Sequence, residues 1–430
     1  MTKYQSLLKL KYNGRGRTLS DEEVQEEYQK RYHSWSAHRT ALLPVLNDYR
    51  NRHFQNHPYL IFYTLTTEIE KQLADFGDNS LEIQGLIKDL PVIAQQTYIR
   101  KSLVEEIYRS NEIEGVKTSR YELNTIAGEL IGTDGAVKKG KRLMSTVKQY
   151  LASIEGQPLQ MNDLAAYRIL YDELLKGEIP EESQPDGRLF RNSKVYVGSS
   201  TRVRHQPPKF EREIEQGLID LLDYMKTDKA FPIIKGLVSH FMFENMHPFF
   251  DGNGRMGRYL LSAYLSEKTD MYTGMAISAA ILVERNRYYA LFKEAGDVLN
   301  FADLTMFIEG MLNIVVAGQE QILADLKQRK QALNEALEEL KQNMQVHFQS
   351  WTLSDHEEEI VAGILSLLLQ SQVFENEFNG GVKVIEIAGR LKSDYRFSEV
   401  QVRRLCQFLE HQGLVEKRKL RPLCYALVEN

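Results

Sequence analysis

Apolar residues recur three and four positions apart along most of this chain, the spacing of one buried helix face. The pattern predicts helices at Tyr98–Asn111, Leu143–Ser153 and Asn162–Lys176, and again from Phe210, with short breaks, to about Gly318. The first hundred residues are richer in Tyr, His, Gln and charge; two stretches, Ala41–Tyr49 and Tyr59–Leu73, are apolar enough to pack, and Pro91 marks a joint. Between Pro180 and Pro208 the helical pattern lapses. Pro, Gly and Ser interleave there with a β-like run, Lys194–Gly198, which predicts a loop carrying a small hairpin.

From Ala317 to Val346 the chain is dense in Gln, Lys, Glu and Leu. Leu326, Leu333 and Leu340 repeat every seventh position, with Leu337 and Met344 offset between them. That is a long linker helix with one narrow apolar stripe. The stripe either packs against its own domain or pairs two chains in a homodimer; Lys330 interrupts it and favours the first. The last eighty residues read as a separate module. Helices are expected around Glu357–Leu369, at Val384–Leu391 after Gly380-Gly381, and at Ser398–His411, which Gly413 ends. Two strands, Leu414–Val415 and Cys424–Val428, would flank a basic turn of Lys417, Arg418, Lys419 and Arg421. Three helices and a hairpin resemble a winged helix, an α+β domain. The class is otherwise mainly α.

The 430 residues, 43% apolar and 26% charged, suit a soluble globular protein of two or three domains. A net charge of −5 gives no global reason to expect nucleic acid. No apolar run reaches eighteen residues, so no membrane span is expected, and the N-terminus lacks a secretory pattern. The two cysteines, Cys406 and Cys424, suggest buried small side chains in a reducing cytoplasm rather than a disulfide framework.

One window changes the picture: His247-Pro248-Phe249-Phe250-Asp251-Gly252-Asn253-Gly254-Arg255-Met256-Gly257-Arg258. Ile234, Leu237, Val238, Phe241 and Asn245 give the preceding helix a buried face, and Pro248 ends it. Tyr259, Leu260, Leu261, Ala263 and Tyr264 continue a second apolar helix. Gly252, Asn253 and Gly254 are therefore delivered to a helix N-terminus, where exposed N–H groups and the helix dipole attract an anion. Arg255 and Arg258, three apart, project from one side of that turn as a clamp for a polyphosphate. Asp251 among them makes sense as a ligand of Mg²⁺ bridging the phosphates. His247 supplies an imidazole that takes a proton near neutral pH.

The stretch resembles the signature of the Fic family: His, Phe two residues on, Asp or Glu with Gly-Asn-Gly-Arg, and a final Arg. His247, Phe249, Asp251, Gly252, Asn253, Gly254, Arg255 and Arg258 match without departure. The resemblance implies a Fic-type helical core with a small β-hairpin flap. It implies a protein adenylyltransferase in which His247 deprotonates a Ser, Thr or Tyr hydroxyl of a target protein. That hydroxyl attacks the α-phosphate of ATP and releases pyrophosphate. Asp251 would bind Mg²⁺, while Asn253, Gly254, Arg255 and Arg258 hold the phosphates and Phe249 anchors the loop. Kinase-like relatives carry lysine where Gly254 stands, which favours nucleotide transfer.

Three further segments fit the same resemblance. Ser110-Asn111-Glu112-Ile113-Glu114-Gly115 is similar to the family's inhibitory motif, with Glu114 expected to bond Arg258 and obstruct the γ-phosphate. Gly187–Pro208 resembles the flap through Arg188, Arg191, Val195, Tyr196, Val197 and Gly198. Its β-edge would dock an extended target segment, and Tyr196 itself offers a site of self-modification. Glu284–Tyr289 resembles a nucleotide-pocket segment, with Tyr289 placed against adenine. The resemblance divides the chain into an N-terminal helical extension (1–97), a core with the inhibitory helix (98–316), a linker helix (317–350) and the winged-helix-like domain (351–430). The tail also supports a rival expectation. Gln401, Arg403, Arg404 and Gln407 on its second helix would read DNA, making the chain a nucleotide-sensing DNA-binding regulator.

Overall fold

The structure is a computed structural model that describes residues 4–13, 16–48, 53–55, 58–130, 142–199, 202–375, 381–391, 398–420 and 422–428. Gly380 and Arg421, named above, lie outside the described residues. The chain forms two compact units, Met1–Leu81 with Glu105–Glu320 and Glu82–Val104 with Gln321–Asn430. The units divide helices rather than the loops between them. The helices Thr67–Lys88, Val92–Ile113 and Thr305–Phe348 each contribute to both, where the sequence suggested boundaries near 97, 316 and 350.

The first unit is built around the helix Pro232–Met246, whose Pro232 lies in the first turn, where a missing N–H is harmless. Ile233, Ile234, Leu237, Val238, Phe241, Met242 and Phe243 are all buried, as are Lys235, His240 and Asn245, so this helix is enclosed on nearly every side and runs through the core. The helix Asn253–Lys268 packs on it closely. A Cβ at Gly236 would stand 3.0 Å from Tyr264 and 3.2 Å from Leu261. Leu164–Leu174 and Glu211–Thr227 complete the surround. The N-terminal stretch, expected to be helical, also contains two small antiparallel pairs, Ala37–Arg39 with Phe62–Thr64 and Leu46–Asp48 with His53–Gln55. Strands of three residues are too short to leave a period in the sequence. A cluster of Leu7, Leu19, Val24, Tyr28, Phe62 and Phe301 ties this stretch together. The hairpin expected at Lys194–Gly198 is displaced toward the C-terminus: Val197–Ser199 pairs with Arg202–His205, with a bulge at Val197/Gly198.

In the second unit, helices Asp355–Phe374, Val384–Leu391 and Glu399–His411 cover a three-stranded antiparallel sheet. Its strands are Val382–Lys383, Leu423–Leu427 and Val415–Leu420, with Leu423–Leu427 central. The two-residue first strand left no sequence signal. Ile360, Ile364, Leu368, Ile387, Leu405 and Tyr425 form the core, joined by Met344 and the partly buried Leu340 of the long helix. That end of the heptad stripe is therefore covered within its own unit, and Lys330 leaves the seam to pair with Asp89 at 3.0 Å. Gly318 does not break the 44-residue helix Thr305–Phe348. Cys406 and Cys424 are buried free thiols. Among the described residues, no helix is long and apolar enough to cross a membrane.

Candidate functional site

The site is assembled in the first unit where the central helix ends. His247 is its C-cap, with φ 46° and ψ 62° in the left-handed region, a conformation that costs a residue with a Cβ about 1–2 kcal/mol. The neighbouring segment holds it there. Arg191, fully buried, donates from Nε to the His247 carbonyl at 2.8 Å and from Nη2 to the Met246 carbonyl at 3.3 Å. Its backbone N–H donates to Pro248 at 3.0 Å, and the His205 ring reaches the Asn245 carbonyl at 2.7 Å. Four consecutive carbonyls, 245 to 248, in the last turn and just beyond it, are thus all satisfied by Arg191 and His205. The His247 ring is half-buried and donates to the Glu244 carbonyl, leaving its other nitrogen an acceptor. Burial, with Arg191 adding positive potential, holds its pKa down to about 3, so the ring is neutral at pH 7.

The loop that follows closes on itself. Phe249 is fully buried and stacks on Tyr171 with ring centroids 3.7 Å apart, and Phe190 meets it edge-on at 5.7 Å. The Asn253 side chain accepts from Phe249 N at 3.0 Å and donates to Phe249 O at 2.8 Å. Its amide is therefore spent on shaping the loop. Gly252 has φ 82°, and a Cβ there would collide with Leu175, so conformation and space both require glycine.

The two arginines do not form one open clamp. Arg255 Nη1 donates to Glu178 at 2.9 Å in a nearly buried pair, and Thr146 bonds the other oxygen of Glu178. Arg258, 1% exposed, is held by Ser110 through Nε to Oγ at 3.1 Å and Nη2 to the carbonyl at 3.0 Å, and by Glu114 at 2.9 Å. Burial opposes the charge on Arg258, yet Glu114, Tyr288 and Glu244 raise its pKa above the ordinary value. The Glu114 carboxylate lies over the helix N-terminus, where a Cβ on Gly254 would strike it. Asp251 is 54% exposed; one oxygen caps Gly252 N at 2.6 Å and the other stands 4.0 Å from Arg255. The described residues hold no cluster of three or more metal-ligating side chains. Mg²⁺ commonly takes one carboxylate plus substrate phosphates, and a single exposed carboxylate beside an anion-binding turn fits that coordination.

Of the adjacent tyrosines, Tyr288 is buried with its hydroxyl 2.8 Å from His240, while Tyr289 is half-exposed and within electrostatic reach of Glu114 and Arg258. The hairpin places Tyr196 outward, 49% exposed, with Val195 and Tyr196 just ahead of the strand that holds Val197 and Gly198. The buried acids around Arg258 carry no signal along the chain. Burial pushes Glu244 up to about 8, and its Oε1 has no hydrogen-bond partner among the described residues. Burial raises Glu106 to about 7 against hydrogen bonds from Ser278. Glu178 was equally silent, and Arg191 was visible only as one letter of the flap pattern.

Residues 162–265 match the Fic/DOC family, and the chain carries a Fic domain. It is similar to protein adenylyltransferase fic-1 of Caenorhabditis elegans, 28% identical over 180 residues, covering 42% of this chain and 30% of that protein. It is also similar to protein adenylyltransferase Fic of Drosophila yakuba, 25% identical over 214 residues, covering 47% of this chain and 39% of that one. The chain thus spans between 30% and 39% of the length of these relatives. A solved Fic family protein from Desulfovibrio desulfuricans G20 aligns over 86% of this chain and 98% of its own, at 18% identity and a TM-score of 0.47.

Proposed function

We propose that this protein is an adenylyltransferase that moves AMP from ATP to a Ser, Thr or Tyr hydroxyl of a target protein, and that Glu114 restrains it. The observation that carries the reading is the meeting at one helix end of a neutral acceptor imidazole, an exposed carboxylate and an anion-ready helix N-terminus. His247 takes the hydroxyl proton as the oxygen bonds the α-phosphorus, and pyrophosphate leaves. The N–H groups at Asn253–Gly254, with Arg258 once Glu114 has moved, neutralise the phosphate charge. Mg²⁺ held by Asp251 would add charge neutralisation on the phosphates. An anion at this turn also raises the basicity of His247, offsetting the burial that depresses it.

The flap hairpin offers a β-edge for an extended target segment, and an outward Tyr196 is available to a second copy for self-modification. Glu114 contacts both Arg258 and the space over Gly254, so it competes with a γ-phosphate for the same guanidinium. The winged-helix reading of the tail is supported by the order helix, strand, helix, helix, strand, strand. Its use on DNA is not favoured: Arg403, Arg404, Lys417 and Arg418 are paired with Glu399, Glu357, Glu410 and Glu416, which neutralises the surface a duplex would need. Incubation with [α-³²P]ATP tests the main reading. Label should appear on protein with Glu114→Gly and vanish with Glu114→Gly/His247→Ala. Labelling that survives loss of His247 overturns it.

A further inference from the structure

Asn47, in a short N-terminal strand far from the motif in sequence, reaches the site through His205. It is fully buried, and its side chain is oriented by the chain around it. Oδ1 accepts from Gln206 N at 3.1 Å, so Nδ2 is the group that faces His205 Nδ1 at 2.7 Å. An amide N–H₂ can only donate, so Nδ1 must be an acceptor and the ring proton must sit on Nε2. Nε2 in turn donates to the Asn245 carbonyl at 2.7 Å, two residues before His247. The same N-terminal strand region grips that residue a second way. Asn245 Oδ1 accepts from Val45 N at 2.8 Å and its Nδ2 donates to Val45 O at 2.9 Å.

We infer that Asn47 is a positioning residue of the transfer site: by fixing His205 as a neutral Nε2–H tautomer it ties flap, helix end and His247 into one arrangement and keeps a second cation away from the base. The inference rests on His247 being the catalytic base. The groups facing His205 make the point about charge. The 186–193 segment contributes the Arg191 guanidinium, the helix end contributes the His247 ring, and Asn47 itself is neutral. Asp48 follows Asn47 in its strand, and Asp297, bridged to Asn47 through the backbone, spends its carboxylate on Leu299 N. Among the described residues the ring nitrogens bond Asn47 and the Asn245 carbonyl, and burial and Arg191 hold His205 down to about 4. A protonated His205 would lose the Asn47 bond and place a second positive charge beside Arg191 and the ring that must accept a proton.

Asn47→Asp keeps the shape and the bond from Gln206 N but turns an acceptor toward Nδ1, which forces the doubly protonated ring. Two measurements on the full chain test this. In long-range ¹⁵N NMR of the unmutated protein, His205 should show the neutral Nε2–H pattern from pH 8 down to pH 5. A ring titrating near 6.5, or protonated on Nδ1, overturns the inference without any variant. In a Glu114→Gly background, Asn47→Asp should lower kcat for AMP transfer at least tenfold, leave KM for ATP within about twofold, and move the acid limb of the kcat profile to lower pH. Unchanged kcat, or a fall in kcat with an unmoved profile, refutes the positioning role. Complete absence of transfer in the Glu114→Gly parent would instead strike the adenylyltransferase reading, while the NMR result on His205 would still stand by itself.

Discussion

Replacing Glu114 by glycine removes one carboxylate from a guanidinium that is otherwise buried, and its consequences can be worked out from the contacts. Glu114 meets Arg258 at 2.9 Å with its own side chain 34% exposed. A hydrogen bond to a charged partner is worth about 1.5–3 kcal/mol, and partial exposure puts this one near the lower end, about 1.5–2 kcal/mol. A phosphate competing for Arg258 must first displace that contact. At about 1.4 kcal/mol per tenfold, its removal should tighten ATP binding by roughly 10- to 30-fold. Glu114→Gln keeps the bulk over Gly254 and loses only the charge, so it should gain less, about threefold to fivefold. Calorimetric titration of ATP with Mg²⁺ reads the affinity, and [α-³²P]ATP labelling reads the transfer. The glycine variant should also be less stable by about 1–3 kcal/mol, since among the described residues Arg258 then keeps only Ser110 as a hydrogen-bond partner. Equal affinity and equal labelling for Glu114→Gly and the unmutated chain would refute the reasoning, because the carboxylate would then not stand in the phosphate's way.

Other consequences follow from the same geometry. Asp251→Ala should remove Mg²⁺-dependent turnover while leaving the thermal midpoint nearly unchanged, because the side chain is largely exposed; an unchanged rate would remove its role. Phe249→Ala should destabilise the fold by about 3–5 kcal/mol, read from denaturant unfolding, since the ring is fully enclosed by Tyr171 and Phe190. His205, His240 and His247 have folded pKa values depressed to about 4, 3 and 3. The unfolded chain binds more protons between those values and 6.5, so their contribution to stability is present above pH 6.5 and lost as pH falls through 4 and then 3. Glu244 runs the other way. Its carboxyl is raised from 4.5 to about 8, so its contribution is present below 4.5 and lost as pH rises through 8. Glu244→Gln should therefore raise the thermal midpoint at pH 8.5 more than at pH 6, and the opposite ordering would contradict the assignment.

The central helix and the motif helix were legible because they are long, apolar and closed by strong punctuation at Pro248 and Gly252. The motif residues were legible because eight polar or glycine positions crowd one window. The strands at 37–39, 46–48 and 382–383 were not, since two or three residues leave no period and their partners lie far along the chain. Arg255 shows a different limit. Its spacing from Arg258 suggested a joint clamp, but spacing along a helix says nothing about Glu178 arriving from another segment to claim it. The resemblance implies that Asn253 holds phosphate, and no spacing rule reveals that its side-chain amide also bonds the backbone four residues earlier. The Glu114–Arg258 contact came from the resemblance. Charge complementarity alone named neither its distance nor the collision it makes with any side chain at position 254.

The four carbonyls capped by residues 191–205 limit how this protein could be re-aimed at a new target. Grafting a foreign hairpin onto the scaffold would strip Arg191 and His205 from the end of the central helix and leave a strained His247 without its supports. A transplant that aims to change the recognised sequence must therefore retain those two anchors and vary exposed positions such as Tyr196.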